Sequence, residues 1–531
     1  MRHFAPLGSP NASSFVLRLT PAAPYAGPMA ERVVIVGAGH NGLVAAALLA
    51  RAGFEVQVLE RLDRVGGAAV SAPAFDGYDA RLSRFSYLVS LFPQALIDDL
   101  GLDLELRSRD TASFTPWRRD GRAGGLVVET EAGDATRASF AELTGDDREF
   151  EAWNAFYDEV ATIAGAIAPT LLAPLPHIGD LRDKVEMAIW TDLVEAPIGT
   201  ALRRRFSDDV VRGIVATDAL IGTFASLDDL SLVQNRCFLY HLIGNGTGEW
   251  RVPVGGMGAV TSELARVATE AGATIRLNSE VDGIDVSDVD VTVCGDGFIE
   301  HADFVLFGAA PYVLERLLGH SPATKPAGAQ LKLNVLLSRL PELASGADPR
   351  LAFEGTFHLD ESFDQLQLAW ATAASGDLPA ATGEFYCHTL TDRSILGPEL
   401  RDSDAQTLTY FGLHTPPGVL DAPGAKDRAV AQVLAALNEH LAEPIEPLIL
   451  GLEAKTPTEI EHELWMPGGH IFHGDLAWPW LEEDEHPHTS AARWGVATAH
   501  PRILLCGSGS RRGGAVSGIG GHSAAQALLT R

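Results

Sequence analysis

The most regular pattern of hydrophobic positions lies within residues 32–60. Val33–Val36 is an apolar and β-branched run, which predicts a buried parallel strand. Residues 43–52 are rich in Ala and Leu, which predicts a helix. Residues 55–60 alternate between apolar and polar positions, which predicts a second strand. The segment therefore has the pattern of a strand–helix–strand unit.

A glycine motif joins the first predicted strand to the helix, and it fits G-x-G-x-x-G. The first glycine permits a tight turn, the second lets the backbone approach a pyrophosphate, and the third lets the helix pack closely on the strand. The start of the helix offers free N–H groups to phosphates. The motif predicts a dinucleotide site but does not by itself separate FAD from NAD. Its residues expected at the cofactor are Gly37, Gly39, His40, Asn41 and Gly42.

Glu60 ends the second strand, where it can accept hydrogen bonds from a ribose 2′-hydroxyl. An acid at this position disfavours the 2′-phosphate of NADP. A basic residue, Arg61, and then Gly66, Gly67 and Ala68 follow it. A glycine pair lets backbone N–H groups face a phosphate or a flavin. This run resembles the flavoprotein pattern, in which the chain continues along the FAD diphosphate.

The end of the chain has a second concentration of glycines. Residues 503–505 predict a buried strand, and residues 517–529 predict a helix. Glycine at this density destabilises a plain loop, so the turn between them is expected to contact a flat ligand. The start of the helix would stabilise negative charge on a reduced flavin. The residues predicted to bind the cofactor here are Gly507, Ser508, Gly513, Gly514, Val516 and Ser517.

The middle of the chain predicts a helical block followed by a sheet. Helices are expected over residues 146–167, from a cap at Ser207 to residue 221, and over residues 227–243. Strands of an antiparallel sheet are expected at Leu331–Leu337, Phe353–Leu359, Gln365–Trp370, Glu384–Leu390 and Thr407–Leu413.

Composition narrows the class of protein. The 531 residues carry a formal net charge of −30, which argues against nucleic acid as a partner. The four cysteines are far apart, as expected of reduced thiols in a cytoplasmic protein without a redox disulfide. No run of 18 apolar residues is free of breakers. Residues 1–30 are interpreted as a disordered leader or as sequence preceding a natural start at Met29; a transit function would place the protein in the mitochondrial matrix.

Five histidines lie in the loop-rich segment 459–494. His470 and His473 are the candidate catalytic residues. No third ligand accompanies this pair at a regular spacing, so no metal site is predicted.

The two glycine regions, Glu60, and the segments Trp465–Gly474 and Cys506–Ser517 together resemble the FAD-dependent family of phytoene desaturases, carotenoid isomerases and retinol saturases. The resemblance is strongest to the branch named pyridine nucleotide-disulfide oxidoreductase domain-containing protein two. It implies FAD as the cofactor and a backbone contact from Val281 to the adenine. It implies an α/β fold with a Rossmann-type FAD-binding domain, glutathione-reductase/amine-oxidase-like, and a mixed antiparallel-sheet and helical substrate domain.

The domain assignment follows from this reading. The segments 31–105, 250–320 and 495–531 are expected to form a composite FAD-binding domain. The segments 106–249 and 321–494 are expected to form the substrate or cap domain.

The expected function is hydride transfer between flavin N5 and an apolar or amphipathic small molecule, as desaturation, saturation or oxidation. A redox-neutral flavin isomerase, an amine oxidase and a non-catalytic regulatory flavoprotein are the alternatives. A lysine near the flavin would favour the amine oxidase, and Lys332 alone among the lysines lies in a predicted strand. The electron acceptor (oxygen, a quinone or another), a peripheral membrane contact and the oligomeric state stay open.

Overall fold

The computed structural model describes residues 30–531. The interpretation of residues 1–29 as a leader lies outside the described residues.

The strands of the described part, in chain order, are β1 Arg32–Val36, β2 Glu55–Leu59, β3 Ser71–Pro73, β4 Arg81–Ser83, β5 Leu106–Arg107, β6 Thr111–Arg119, β7 Arg122–Glu129, β8 Val252–Pro253, β9 Thr274–Arg276, β10 Gly283–Val286, β11 Val291–Gly295, β12 Phe298–Ala302, β13 Phe304–Phe307, β14 Lys332–Leu337, β15 Thr356–Leu359, β16 Gly383–Tyr386, β17 Gln406–Gly412, β18 Ile449–Lys455 and β19 Ile503–Leu505.

The α-helices of the described part are α1 His40–Arg51, α2 Gln94–Leu100, α3 Asp134–Thr144, α4 Arg148–Ile167, α5 Ile178–Arg182, α6 Met187–Trp190, α7 Ile198–Arg205, α8 Asp209–Ala216, α9 Val233–Leu242, α10 Met257–Glu270, α11 Pro311–Leu317, α12 Pro349–Glu354, α13 Phe363–Ala374, α14 His388–Thr391, α15 Pro398–Arg401, α16 Pro417–Leu420, α17 Ala425–Asn438, α18 Pro457–Leu464, α19 Ser490–Arg493 and α20 Ile519–Leu529. Within residues 30–531 none of them is long and apolar enough to cross a bilayer.

A five-stranded parallel sheet forms the first domain, in the order β19-β13-β1-β2-β9. The central strand β1 has Val33, Val34 and Ile35 fully buried, since helices and the hairpin strands β10–β12 cover its two faces. Helices α1 and α20 pack against each other on one face. Strands from the two ends of the chain and from its middle therefore meet in one sheet, and their carboxyl ends share one edge.

A seven-stranded mixed sheet forms the second domain, in the order β18-β14-β17-β16-β15-β6-β7. Its neighbours pair antiparallel except β15 with β6, which are parallel. A helical block with its own apolar core, which includes α4 and α7–α9, packs beside this sheet. The predicted α/β fold class with a mixed-sheet and helical substrate domain is confirmed.

Two local predictions were wrong. Gln365–Trp370 lies in α13 and is not a strand, because the side chains of Ser362 and Gln365 cap the helix start reciprocally. The Gln365 N–H donates to Ser362 Oγ at 3.4 Å, and the Ser362 N–H donates to Gln365 Oε1 at 3.2 Å. The cap of α8 is Asp208, which accepts from the Val210 N–H at 2.9 Å, and not Ser207.

Candidate functional site

The turn after β1 is formed by the glycines of the sequence motif. Gly37 has φ +99°, a conformation that other residues rarely adopt. A Cβ on Gly42 would lie 2.2 Å from the Gly37 carbonyl oxygen, so any side chain there would push the helix off the turn. No atom lies within 4 Å of the Cβ position on Gly39, which is the N-cap of α1. The start of α1 therefore has room for a ligand, with its unpaired N–H groups facing that room.

The carboxylate of Glu60 is fixed against this turn. It is only 7 % exposed. Its Oε2 accepts from the Ala38 N–H at 2.8 Å, and its Oε1 accepts from the Leu62 N–H at 2.9 Å. Each oxygen keeps a lone pair for a further donor. The carboxylate is therefore preoriented to receive the hydroxyls of a ribose.

Gly66 and Gly67 run beside the same turn. The Gly66 N–H donates to the Ala38 carbonyl at 2.8 Å, and Gly66 pairs with Gly39 in an isolated parallel bridge. Both glycines have positive φ, +114° and +58°. A Cβ on Gly66 would lie within 2.9 Å of three atoms of Val70, Ala69 and Thr261. The pair thus extends the glycine-lined backbone surface past Glu60.

The C-terminal turn closes the site from the other side. The His40 Nε2–H donates to the Ala515 carbonyl at 3.1 Å, and the Asn41 side chain donates to the Gly513 carbonyl at 3.3 Å. Burial lowers the pKa of His40 to about 4, so this ring is neutral at pH 7. A Cβ on Gly521 would lie 1.9 Å from the Asn41 carbonyl oxygen. Helices α1 and α20 therefore touch through backbone, which holds both glycine turns around one space.

One large cavity connects these parts and extends under the mixed sheet. Its volume is about 270 Å³. Val36, Leu59 and Phe307 lie at the ends of three parallel strands and line one part of it. Phe411 and Phe472 line the opposite part. The cavity thus runs from the sheet edge of the first domain to the face of the second.

Most of the predicted cofactor residues line this cavity. At the nucleotide end they are Gly37, Gly39, His40, Asn41, Gly42, Glu60, Arg61, Gly66, Gly67, Ala68 and Val281, and on the C-terminal turn they are Gly507, Ser508 and Val516.

Three predicted cofactor residues, Gly513, Gly514 and Ser517, do not line the cavity. A Cβ on Gly513 would lie 2.1 Å from the Gly507 carbonyl oxygen, and one on Gly514 would lie 2.5 Å from Leu476 Cδ2. Ser517 is fully buried, and its Oγ accepts from the Ile519 N–H at 3.2 Å. These residues shape the turn and the start of α20, and their role as cofactor ligands stays a prediction.

The two candidate catalytic histidines separate. His473 has φ +64° and lines the cavity; its Nδ1 is buried without a hydrogen-bond partner, and burial lowers its pKa to about 4. His470 does not line the cavity. Its Nδ1 accepts from the Phe472 N–H at 3.3 Å, and its Nε2 lies 3.7 Å from Asp475 Oδ1. His470 supports the loop that carries His473, and its catalytic role stays a prediction.

Sequence reasoning missed the polar residues at the inner end of the cavity. Tyr87, Lys332 and Glu384 come from a loop, from β14 and from β16, and all three line the cavity. The Tyr87 hydroxyl donates to Glu384 Oε1, and the Lys332 Nζ lies 4.7 Å from the centre of the Tyr87 ring. No local motif marks these residues. The one signal available was a lysine in a largely apolar predicted strand.

Lys332 is unusual because its amine is buried without a hydrogen bond. The residue is 1 % exposed, and Nζ has no partner among the described residues. Burial lowers its pKa to about 7. An amine in this state exchanges a proton near neutral pH, which suits a group that touches a substrate.

The surroundings of the inner end are aromatic and apolar. His241 stacks on Trp250 with ring centres 5.2 Å apart, and its Nδ1–H donates to the Cys237 carbonyl at 2.9 Å. Burial lowers the pKa of His241 to about 4. The walls that border this end include Leu88, Ile221, His241, Trp250, Phe411 and Phe472. Such walls exclude water and bind apolar molecules.

The donors present fit FAD. The start of α1 borders open space at the Cβ position of Gly39. The Glu60 carboxylate lies beside this space, and its oxygens keep lone pairs for further donors. Gly67 and the C-terminal turn line the same cavity, so one ligand can contact both glycine turns. Among residues 30–531 no group of three His, Cys, Asp or Glu residues is arranged to hold a metal.

A Rossmann-type sheet with a glycine-lined cofactor channel, joined to a mixed sheet that covers its inner end, defines a two-domain flavoprotein. The chain belongs to the family of flavin-containing amine oxidoreductases, whose sequence profile matches residues 42–522. This family membership confirms two predictions, that FAD is the cofactor and that the protein is an FAD-dependent oxidoreductase.

The relatives support the predicted resemblance. An uncharacterised protein of Mycobacterium tuberculosis is 48% identical over 520 residues, covering 94% of this chain and 96% of that protein. The rat pyridine nucleotide-disulfide oxidoreductase domain-containing protein 2 is 28% identical and covers 93% of each chain. A hydroxyneurosporene desaturase of Cereibacter sphaeroides is 25% identical, covering 94% of this chain and 97% of that enzyme.

The solved structure of wild-type putrescine oxidase bound to putrescine has a TM-score of 0.57 at 17% identity, covering 95% of this chain and all of that one. At this identity the match supports the fold alone. The predicted resemblance to the phytoene desaturase-like family is confirmed by these relatives together.

Proposed function

We propose that the protein transfers a hydride between FAD and a small apolar or amphipathic molecule, in a desaturation, a saturation or an oxidation. The observation that carries this proposal is the inner end of the cavity, where aromatic and aliphatic walls surround a few polar groups. The name of the related hydroxyneurosporene desaturase agrees with an apolar substrate.

The chain's own residues have three tasks in this proposal. The glycine turns and Glu60 hold the two ends of the cofactor, as described above. The walls of the inner end keep water from the reacting atoms, which strengthens every polar interaction there. Tyr87, Lys332 and Glu384 orient the polar part of the substrate. When bound, FAD supplies a two-electron acceptor or donor that exchanges hydride at N5.

A specific observation favours a second candidate, the oxidation of an amine. Lys332 lies in the cavity with a free amine and a pKa lowered to about 7. A lysine near the flavin is the feature expected of an amine oxidase. The match to flavin-containing amine oxidoreductases and the fold of putrescine oxidase agree with it.

The test is anaerobic reduction of the purified protein loaded with FAD, followed by its visible spectrum. A panel of apolar alkanes and alkenes, long-chain alcohols and primary, secondary and tertiary amines is added one compound at a time. Bleaching by an apolar or alcohol member supports the first candidate, and bleaching by amines alone supports the second. If the bound FAD is bleached by dithionite but by no member of the panel, the hydride-transfer proposal fails in favour of a regulatory flavoprotein.

The same samples address the electron acceptor and the isomerase alternative. Air is admitted to the reduced protein, and the return of the flavin spectrum is timed. Return within seconds favours oxygen as the acceptor, and slow return favours a quinone or another partner. Conversion of an alkene to its isomer by the reduced protein, without net reoxidation, would instead favour the redox-neutral isomerase.

A further inference from the structure

The proposed reaction needs a destination for a proton. Desaturation and oxidation each remove two hydrogens from neighbouring atoms, one as a hydride and one as a proton. The hydride would have its acceptor in FAD, whereas neither His470 nor His473, the catalytic candidates predicted from the sequence, lies among the polar groups of the inner end. A group there that borders the substrate space and can change its charge would complete the reaction.

We propose that Glu384 is the catalytic acid–base residue of this site. The inference rests on the proposed function. In the oxidative direction a substrate C–H bond breaks and its hydrogen leaves with both electrons to FAD. The neighbouring C–H, O–H or N–H bond breaks and its electrons form the new double bond. The proton from that bond passes to the Glu384 carboxylate, which becomes a carboxylic acid; saturation runs these steps in reverse.

The accessibility of the carboxylate separates it from the other candidates. Glu384 lines the cavity and is half-buried, whereas Lys332 is 1 % exposed and His241 is 5 % exposed. His473 is half-buried too, but it lies against Gly509, 3.4 Å from the Cβ position of that glycine, on the C-terminal turn. Tyr87 and Glu384 are therefore the titratable groups that border the inner end with accessible surface. Burial raises the pKa of the Tyr87 hydroxyl well above its ordinary value, so of the two only Glu384 can accept a proton near neutral pH.

A hydrogen bond orients Glu384 from one side. The Tyr87 hydroxyl donates to its Oε1, and the Tyr87 ring stacks on Tyr386 with centres 5.9 Å apart. The second oxygen, Oε2, accepts no hydrogen bond within the described residues. One oxygen is thus fixed and the other is free for a substrate hydrogen, as a general base requires.

A buried pair of side chains, His358 and Glu361, stands behind Glu384 on the other side. His358 on β15 is the direct partner of Glu384 on β16 in the antiparallel register, so their side chains share one face of the sheet. The His358 Nδ1 lies 2.5 Å from Glu361 Oε2, and Glu361 also accepts from the Thr217 hydroxyl at 3.1 Å. The Glu361 carboxylate disfavours a negative charge on Glu384.

The charge of Glu384 is therefore set by its surroundings. Burial and then the Glu361 carboxylate raise the pKa of Glu384, while the Tyr87 hydrogen bond lowers it. A raised value brings the acid nearer to neutral pH, where it both accepts and returns a proton efficiently. The titratable or charged groups around it are Tyr87, Arg109, Asp218, Lys332, His358 and Glu361.

The first test is Glu384→Gln, which keeps the shape and can still accept from Tyr87. We expect FAD binding to be unchanged and the rate of flavin reduction by substrate to fall by about 10²–10⁴-fold. In the wild type this rate should rise with pH through one ionisation, because only the carboxylate accepts the proton. The variant should lose that rise. Glu354→Gln, at another half-buried acid that does not line the cavity, is the matched control.

Tyr87→Phe sharpens the assignment. It removes the hydrogen bond that lowers the pKa of Glu384 but keeps the acid. We expect the rising limb of the pH profile to move to higher pH, whatever the maximal rate loses through the substrate contact of Tyr87. A merely structural role of Glu384 would leave the position of this limb unchanged.

A third measurement does not depend on a substrate. Infrared pH-difference spectra of the FAD-loaded protein should contain a carboxylic acid band above the range of ordinary glutamates, and Glu384→Gln should remove it. If Glu384→Gln reduces flavin at the wild-type rate with the same pH profile, or if the band is unchanged, the assignment is overturned. If no compound reduces the flavin but Glu384→Gln removes the band, the proposed function is overturned, whereas the protonation of Glu384 is supported.

Discussion

The two ends of the cavity are built in different ways. The nucleotide end consists mainly of backbone. Gly37, Gly39, Gly42 and Gly66 form its surface, and the Glu60 carboxylate lies beside them. The inner end consists of side chains. Tyr87 and Glu384, which form one hydrogen bond there, are 297 residues apart in the chain.

This difference predicts different responses to mutation. At Gly42 and Gly66 this backbone surface has no space for an added atom, so a single methyl group there would disturb both the fold and the cofactor. A surface made of side chains accepts a replacement of equal shape with little structural effect, while its chemistry is lost. The predictions below test this contrast in order of expected size.

Gly42→Ala should have the largest effect. The new Cβ would lie 2.2 Å from the Gly37 carbonyl oxygen, so α1 must move away from the turn. We expect a loss of about 3 kcal/mol of stability, as in severe overpacking, together with loss of bound FAD. Thermal unfolding and the FAD-to-protein ratio measure these effects. Gly165→Ala is the control, since nothing lies within 4 Å of its Cβ position; equal stability of the two variants would contradict the backbone argument.

Lys332→Met should separate chemistry from stability. The amine has no hydrogen bond to lose, so we expect stability to be unchanged or higher. The rate of flavin reduction should fall by about 10–100-fold, because the amine no longer orients the substrate. Stopped-flow reduction and thermal unfolding at one pH give the two numbers. If Lys332→Met unfolded more easily than the wild type but reduced flavin at the wild-type rate, this prediction would be wrong.

The same variant should change the pH dependence of stability. Burial lowers the Lys332 pKa from 10.5 to about 7, so the unfolded chain binds one more proton between these values. Stability therefore rises with pH in this window, by up to about 1.4 kcal/mol per pH unit from this group, and the slope vanishes below about pH 7. Lys332→Met should remove this contribution. Denaturant unfolding at pH 7, 8 and 9 measures it, and equal slopes in both proteins would refute it.

Glu60→Gln should have an intermediate effect on the cofactor and a smaller one on the turn, because the amide NH2 replaces one of the two oxygens that accept backbone N–H groups. The amide keeps one acceptor oxygen for the turn but loses the charge that strengthens hydrogen bonds from ribose hydroxyls. We expect the dissociation constant of FAD to rise by about 10-fold, in line with one charge-assisted hydrogen bond. Fluorescence titration of the apoprotein with FAD measures it. An unchanged constant would remove Glu60 from the ribose site.

His470→Gln should have the smallest effect. The ring is outside the cavity and supports its loop through the Phe472 N–H at 3.3 Å. We expect flavin reduction within about 2-fold of the wild type and a loss of about 1 kcal/mol of stability. A much larger fall in the reduction rate, at unchanged FAD content, would support His470 as a catalytic residue.

The sequence predicted the nucleotide end well because its signals are local. The turn, the helix start and Glu60 lie within one strand–helix–strand unit, and spacing along the chain fixes their geometry. Histidines 470 and 473 show the limit of such reasoning. They lie three residues apart, but His473 adopts φ +64°, which turns the chain and sends the two rings to different places. A left-handed histidine has no signature in the sequence.

The C-terminal glycines show a related limit. Their density correctly marked the second wall of the cofactor site, yet Gly513 and Gly514 are required by close packing against Gly507 and Leu476. A glycine needed for a ligand and a glycine needed for a neighbouring chain segment look the same in a sequence. Only the position of the neighbour distinguishes them.

The sequence by itself determined the α/β class, the glycine turn after β1 and the acid beside that turn, because each is a product of short-range spacing. Only the tertiary structure decided which polar groups meet at the inner end. Tyr87, Lys332 and Glu384 become neighbours through the pairing of β14, β17 and β16, a register set by the burial of apolar faces far along the chain. Burial there also gives Lys332 and Glu384 their shifted pKa values, and burial is a property of the folded chain.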